Sequence, residues 1–219
     1  MKKFLAVFAM LTILLTSSIA SAAYEENIEE GVDLTTVKRI AIAMPNFYRT
    51  AEAEPTIEEL TKLLYTAGRD TSAHNVVSYE EISAAIRRDT GVDIYSLAPV
   101  EAEKIFKANV AKYADSYLIV TVANHSEKPW FFFCLYNSAD QNLIYTFSLQ
   151  SRSISKNTKD YNKAAESFYK KFDVTSAENL SKEDKKAQEK IREAKENKRK
   201  DKDMTYKTGR SKVDLVKKK

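Results

Sequence analysis

The chain has 219 residues, with 35 Lys and Arg against 31 Asp and Glu and a net charge of +4. It contains four widely separated glycines and a single cysteine, Cys134. The scarcity of glycine excludes phosphate loops of the GxGxxG and GxxxxGK kinds, because those loops need glycines at close, fixed spacing. A single cysteine excludes an intramolecular disulfide, so stability must come from packing.

The amino-terminal residues 1–22 are predicted to form a secretory signal peptide. Lys2 and Lys3 precede an apolar stretch from Phe4 to Leu15, and small residues follow up to Ala23. This order is typical of a signal peptide, with cleavage expected after residue 22 or 23. A membrane anchor is disfavoured because this stretch of 12 residues reaches roughly 18 Å, short of the ~30 Å hydrocarbon core. We therefore expect a periplasmic or extracellular protein with no transmembrane anchor after cleavage.

Charge divides the remaining chain into two parts. Residues 181–219 carry 16 Lys and Arg against 8 Asp and Glu, whereas residues 23–180 carry a net charge of −6. The sequence thus predicts a single α/β domain over 23–180 and a basic tail over 181–219 that is helical, coiled-coil-like or disordered. Basic segments attract polyanions, which for an exported protein are lipid head groups or wall polymers, and nucleic acid is not expected. A merely solubilising tail is the alternative.

The first half of the domain alternates strand and helix patterns. The acidic lead-in, Tyr24–Val32, is predicted to be poorly ordered. Strands are predicted at residues 38–44, ended by Pro45, at 75–78 and at 116–124. Helices are predicted to begin at capping boxes at Thr56 and Ser78 and at a proline, Pro99. The first two of these helices are predicted to end at Gly68 and Gly91. This βαβ order predicts a parallel arrangement.

The second half of the domain predicts an antiparallel aromatic hairpin. Residues 116–124 and 130–136 are apolar on both faces and are expected inside the sheet, whereas 143–149 alternates and is expected at a half-solvated edge. The aromatic cluster is interpreted as core, with a ligand-stacking platform as the alternative. A final helix is expected over 159–172. The fold class is α/β, with a mixed sheet of about five strands flanked by helices.

Residues with catalytic potential are few. His74 precedes one parallel strand and His125 follows another, so they fall at opposite ends of the sheet, and each is interpreted as a surface or turn residue. Cys134 lies in an aromatic strand and is interpreted as a small hydrophobe, not a nucleophile. No catalytic residue, metal site or cofactor is predicted.

A ligand-binding crevice, if one exists, is expected where the parallel strands end. Ligands of open α/β sheets bind outside the carboxyl ends of the strands. The residues at these three strand ends are Asn46, Tyr48 and Arg49, then Ser78 and Glu80, then Asn124 and His125. This expectation rests on fold geometry and not on a motif.

Three local patterns resemble a known family. They are Val32-Asp33-Leu34 with the strand at 38–42, Val76-Val77-Ser78 before a Glu-rich helix, and the segment from Tyr113 to Val120. Over residues 32 to about 149 the chain resembles the small α/β accessory domain of bacterial envelope proteins, as in the amino-terminal domain of TolB and in CsgG-like and LpoB-like proteins. The resemblance implies a partner-binding module of the envelope that is not an enzyme, and it transfers no functional residue.

The sequence therefore favours an exported, non-catalytic binding or accessory module. Its expected partner is an envelope protein or an anionic surface polymer or lipid contacted by the tail. The alternative is a secreted or periplasmic hydrolase-like enzyme with a site at the strand carboxyl ends.

Overall fold

The computed structural model describes residues 24–177 and 190–197. The predicted signal peptide and most of the predicted tail lie outside these residues. The described chain forms a six-stranded sheet of order β1-β6-β5-β4-β2-β3. The strands are β1 (Tyr24–Ile28), β2 (Arg39–Ile42), β3 (Asn75–Val77), β4 (Ser116–Ala123), β5 (Trp130–Asn137) and β6 (Leu143–Gln150). The helices are α1 (Ile57–Thr71), α2 (Tyr79–Thr90), α3 (Pro99–Asn109) and α4 (Thr158–Ala177).

The sheet is mixed, as the sequence predicts. β2 pairs in parallel with β3 on one side and with β4 on the other. β4, β5 and β6 then form an antiparallel meander joined by short connections. The parallel half comes from the helix-alternating part of the chain and the antiparallel half from the aromatic part, so the α/β fold class is confirmed.

The acidic lead-in is a strand, and the prediction of poor order for it is wrong. Tyr24–Ile28 pairs antiparallel with β6, from Tyr24 opposite Leu149 to Ile28 opposite Tyr145. This segment does not alternate regularly between apolar and polar residues, so its own sequence does not indicate a strand. The pairing with β6, more than a hundred residues away, supplies the order.

β6 is an interior strand, and its prediction as an edge is wrong. It lies between β5 and β1. Its alternation is real, since Phe147 is buried while Thr146 and Ser148 are partly exposed. The polar face of β6 points away from the larger core. Alternation along this strand therefore indicates that one face of the sheet is uncovered, and it does not indicate that the strand lies at the edge of the sheet.

Two helical layers cover the sheet to different extents. α1 and α4 pack on one face over the larger core, which draws residues from β2 to β6. α2 and α3 pack on the other face, where the second core draws on β2, β3 and β4 with Tyr136 of β5 at its border. Among the described residues, the second face of β5, β6 and β1 is therefore left uncovered, and we call it the open face.

Local signals set most helix ends. Thr56 and Ser78 form the predicted capping boxes, each accepting from the backbone of a glutamate three residues on. Gly91 ends α2 in a left-handed conformation with φ of 75°, as glycine permits.

Gly68 does not end α1, contrary to the prediction. The helix continues to Thr71 and is capped by Ser72. A Cβ built on Gly68 would lie 2.6 Å from Cζ of Tyr169, a fully buried ring of α4. The glycine therefore lets α1 and α4 approach each other closely.

Candidate functional site

The predicted strand-end residues begin with Asn46, which continues β2 beyond Pro45. The backbone N–H of Asn46 donates to the carbonyl of Val120 at 2.8 Å, and Val122 donates back to the carbonyl of Asn46 at 3.1 Å. Pro45 thus interrupts the strand without ending its pairing to β4. The loop that follows is held beside the end of β4.

A buried carboxylate organises that loop. Glu54 is buried, and one carboxylate oxygen accepts from the backbone N–H groups of Thr50 at 2.6 Å and Ala51 at 3.0 Å. Asn124 donates from Nδ2 to the same carboxylate at 3.0 Å. Burial opposes ionisation of Glu54, but these donors outweigh it and hold the pKa of the carboxyl below its usual value. Glu54 is therefore a charged acceptor that fixes the loop.

Asn124 joins three parts of the chain at the end of β4. Its Nδ2 also donates to the carbonyl of Tyr48 at 2.9 Å, and Lys156 Nζ donates to its backbone carbonyl at 2.6 Å. Tyr161 of α4 is buried nearby, and burial followed by the charge of Glu54 raises the pKa of its hydroxyl. Asn46, Tyr48 and Asn124 are thus brought together, but the Asn124 amide and the backbone groups of Asn46 and Tyr48 hold the loop in place, and the Tyr48 side chain is 77% exposed.

The other predicted site residues serve separate local roles. Arg49 donates from Nε to Ala51 O at 3.1 Å and also donates to Glu52 O, within its own loop. Ser78 caps α2 through Glu81. Glu80 lines a shallow cavity of about 490 Å³ beside α2. His125 is exposed in the loop after β4.

A second polar cluster, not anticipated from the sequence, is buried at the opposite end of the sheet. Ser72, His74 and Asp173 are all buried, so His74 is not a surface residue, although it does lie in the turn before β3. Asp173 Oδ1 accepts from Ser72 Oγ at 2.9 Å and lies 2.9 Å from His74 Nδ1, while Oδ2 accepts from the backbone N–H of Ala73 at 2.8 Å. One carboxylate of α4 therefore ties down the turn between α1 and β3.

This cluster has the residue types of a hydrolytic triad but not the arrangement. In a proton relay, the hydroxyl and the carboxylate bond to different nitrogens of the imidazole. Here Ser72 Oγ lies 3.3 Å from the same Nδ1 that meets Asp173. The geometry suits a structural tie and not activation of Ser72.

The described part of the tail, residues 190–197, contacts this cluster. Residues 190–197 are helical. Lys195 Nζ donates to the backbone carbonyl of Ser72. Burial lowers the pKa of Lys195, against the opposing charges of Asp173 and Asp70. The first described part of the tail is therefore fixed near the C-terminal end of α4.

The open face carries a pair of aromatic rings. Trp130 and Phe132 stack with centroids 6.2 Å apart and planes 18° apart, and Phe132 is 39% exposed. Across the ladders, the neighbours on this face are small or uncharged polar residues: Thr121, Ala123, Thr146, Ser148 and Gln150. Cys134 lies on the same face, opposite Thr146, and is half-buried. Burial raises the pKa of its thiol. The aromatic cluster is thus core on one face of β5 and surface on the other.

Two further observations concern the described part of the chain. None of its helices is long and apolar enough to span a membrane. Within residues 24–177 and 190–197, no three His, Cys, Asp or Glu residues are grouped so as to hold a metal ion.

Comparisons with known proteins give structural neighbours only. No family model matches the chain, and no curated protein matches it. Among solved structures, the PelC dodecamer from Paraburkholderia phytofirmans is 11% identical with a TM-score of 0.38, covering 71% of this chain and 96% of that one. The LpoB C-terminal domain from Escherichia coli is 17% identical with a TM-score of 0.36, covering 56% and 86%. Lipoprotein GNA1162 from Neisseria meningitidis is 12% identical with a TM-score of 0.29, covering 61% and 96%.

These neighbours include an LpoB domain, and LpoB-like proteins are among those that the sequence resembles over residues 32 to about 149. Their identities and TM-scores are too low for the similarity to carry an argument about activity, partner or assembly.

Proposed function

We propose that the protein is exported and acts in the envelope as a non-catalytic binding or accessory module, with its basic tail in contact with an anionic surface. The observation that carries this proposal is that two buried carboxylates, Glu54 and Asp173, are bonded to the backbone of the chain. Glu54 holds the strand-end loop, and Asp173 holds the turn before β3. Groups of these types would serve an enzyme as acid, base or relay, but here their bonding capacity is taken up by the architecture.

The distribution of charge supports the role of the tail. Residues 181–219 carry twice as many Lys and Arg as Asp and Glu, 16 against 8, behind a domain of net −6. A basic segment near an anionic membrane contributes about 1 kcal/mol of attraction per Lys or Arg, and the attraction falls off within a Debye length. The tail is therefore suited to hold the domain at a surface of lipid head groups or wall polymers while leaving the open face accessible to a partner.

Vesicle binding tests this proposal. The protein is compared with a chain ending at Leu180, which retains all of α4. We expect the full chain to bind anionic phospholipid vesicles at low salt and to be released as salt rises, because screening weakens the attraction. The shortened chain should stay folded but should not bind.

A variant of unchanged length serves as the matched control. Replacing Lys217, Lys218 and Lys219 by Gln removes charge without removing residues and should weaken binding in part. Equal binding by the full and shortened chains, or equal binding to neutral vesicles, would contradict the role of the tail.

A further inference from the structure

β1 presents an unpaired strand edge among the described residues. It is the terminal strand of the sheet and pairs with β6 on its inner side. The N–H of Glu29 donates to Ile144 O at 3.2 Å, just beyond the end of β1. Along an antiparallel strand, the backbone N–H and C=O groups of successive residues point alternately toward and away from the neighbouring strand. The backbone groups of Glu26 and Ile28 therefore point away from β6. Such an edge is a template for another extended segment.

The chemistry of this edge is both apolar and acidic. Tyr24 is 48% exposed and Ile28 is 44% exposed. Both lie on the α4 face of the sheet, since they pair with Leu149 and Tyr145. The exposed acidic residues of the edge and the turn after it are Glu25 and Glu30, with Glu29 half-buried, while Glu26 already pairs with Lys171 of α4 at 2.8 Å. A complementary strand would therefore present two apolar side chains on one face, together with lysines or arginines.

The last residues of the tail have this pattern. In the segment from Lys212 to Lys219, Val213 and Leu215 fall on one side of an extended chain, because successive side chains alternate. Lysines flank them at positions 212, 217, 218 and 219, against one aspartate at 214. The segment complements the β1 edge in charge, and its two apolar side chains share one face, although they lie two residues apart and Tyr24 and Ile28 lie four apart.

The described start of the tail lies close to β1. Lys195 contacts Ser72, and Ser72 contacts Asp173 of α4. Two residues further along α4, Thr175 donates to Glu26 of β1. The 14 residues from 198 to 211 reach about 45 Å when extended, well beyond the roughly 15 Å radius of gyration of a domain of this size. The tail can therefore reach β1 of its own chain.

We propose that residues 212–217 add to β1 of the same chain as a seventh strand of the sheet. Val213 and Leu215 then lie on the α4 face of the sheet, where one of them packs beside Tyr24 or Ile28, and the lysines lie beside the glutamates of the edge. The intramolecular tether gives the segment an effective concentration in the millimolar range, which favours the same chain over a second copy. Pairing of two β1 edges is disfavoured because it brings glutamates together.

Hydrogen exchange at β1 tests this proposal directly. In the full protein, the amides of Glu26 and Ile28 should be protected. Leu215→Pro removes a backbone donor from the middle of the added strand, so exchange at these amides should become at least about tenfold faster. Thr208→Pro, placed in the connecting segment, is the matched control and should leave exchange unchanged. Neither substitution falls within the domain, so folding is preserved.

Two outcomes would overturn the proposal. One is equal exchange at Glu26 and Ile28 in the protein and in Leu215→Pro. The other is protection that disappears on dilution, which would assign the edge to a second copy and not to the same chain. The measurement is made without vesicles, so its result is independent of whether the tail binds an anionic surface.

Discussion

The two halves of the sheet are built from different strand patterns. In the β3-β2-β4 half, successive residues enter different cores, as with Ile40 on the α1/α4 side and Ala41 on the α2/α3 side. In the β5-β6-β1 half, Phe131 and Phe133 enter a core while Phe132 between them is exposed. Two helical layers therefore cover the first half and one layer covers the second; the alternation of β6 reports the missing layer, but β5 is apolar at every position from 130 to 136 and does not report it.

Alanine substitutions at the adjacent residues Phe133 and Phe132 test this comparison, and the first is expected to give the largest loss in the free energy of unfolding. Phe133 stacks on Phe168 at 4.7 Å between centroids and is fully buried. Phe133→Ala should lower the free energy of unfolding by about 3–5 kcal/mol, because it leaves a cavity. Phe132→Ala, one residue away on the open face, should cost less than about 1 kcal/mol. Denaturant titration measures both, and similar losses would show that the open face is covered.

The contact between α1 and α4 is expected to give a smaller change in the free energy of unfolding. Gly68→Ala places a Cβ 2.6 Å from Cζ of the buried Tyr169 ring, so the ring or the helix must shift. We expect a loss of about 1–3 kcal/mol in the free energy of unfolding, despite the better helix propensity of alanine.

Gly91→Ala is its matched control. There the added Cβ meets nothing within 4 Å, and only the left-handed backbone opposes it, which costs about 1 kcal/mol. Thermal or denaturant unfolding of both variants decides the matter. A stabilised Gly68→Ala protein would contradict the close approach of α1 and α4.

The strand-end loop gives the smallest effect, and it depends on pH. The pKa of Glu54 lies below its usual value of 4.5 in the folded protein. Its contribution to stability is therefore complete above about pH 4.5 and is lost as the pH falls through the lower folded pKa. We expect the stability advantage of the protein over Glu54→Gln to shrink between pH 5 and pH 3, measured by denaturant unfolding. A constant difference across this range would contradict an ionised Glu54 in the loop.

The sequence predicted those features that depend on neighbouring residues. The capping boxes at Thr56 and Ser78 are local patterns, and the mixed sheet follows from the order of strands and helices. β1 was missed because its order comes from β6, far along the chain.

The candidate site was less predictable. Its strand-end residues were placed by topology, and the sequence indicated neither the buried Glu54 nor the distant pairing of His74 with Asp173. These contacts join residues about 70 or 100 positions apart or lie within an irregular loop, where no periodicity carries a signal. Whether the strand-end residues bind a ligand stays a prediction.

The position of β1 sets an order for two events in the export that we propose. Tyr24 is already paired with Leu149, and it lies next to the predicted cleavage site at residues 22 and 23. A signal peptidase acts on an accessible, extended segment, which a closed sheet would not offer at this position. Leader removal would then come first and closure of β1 onto β6 second, so that maturation itself completes the edge of the sheet.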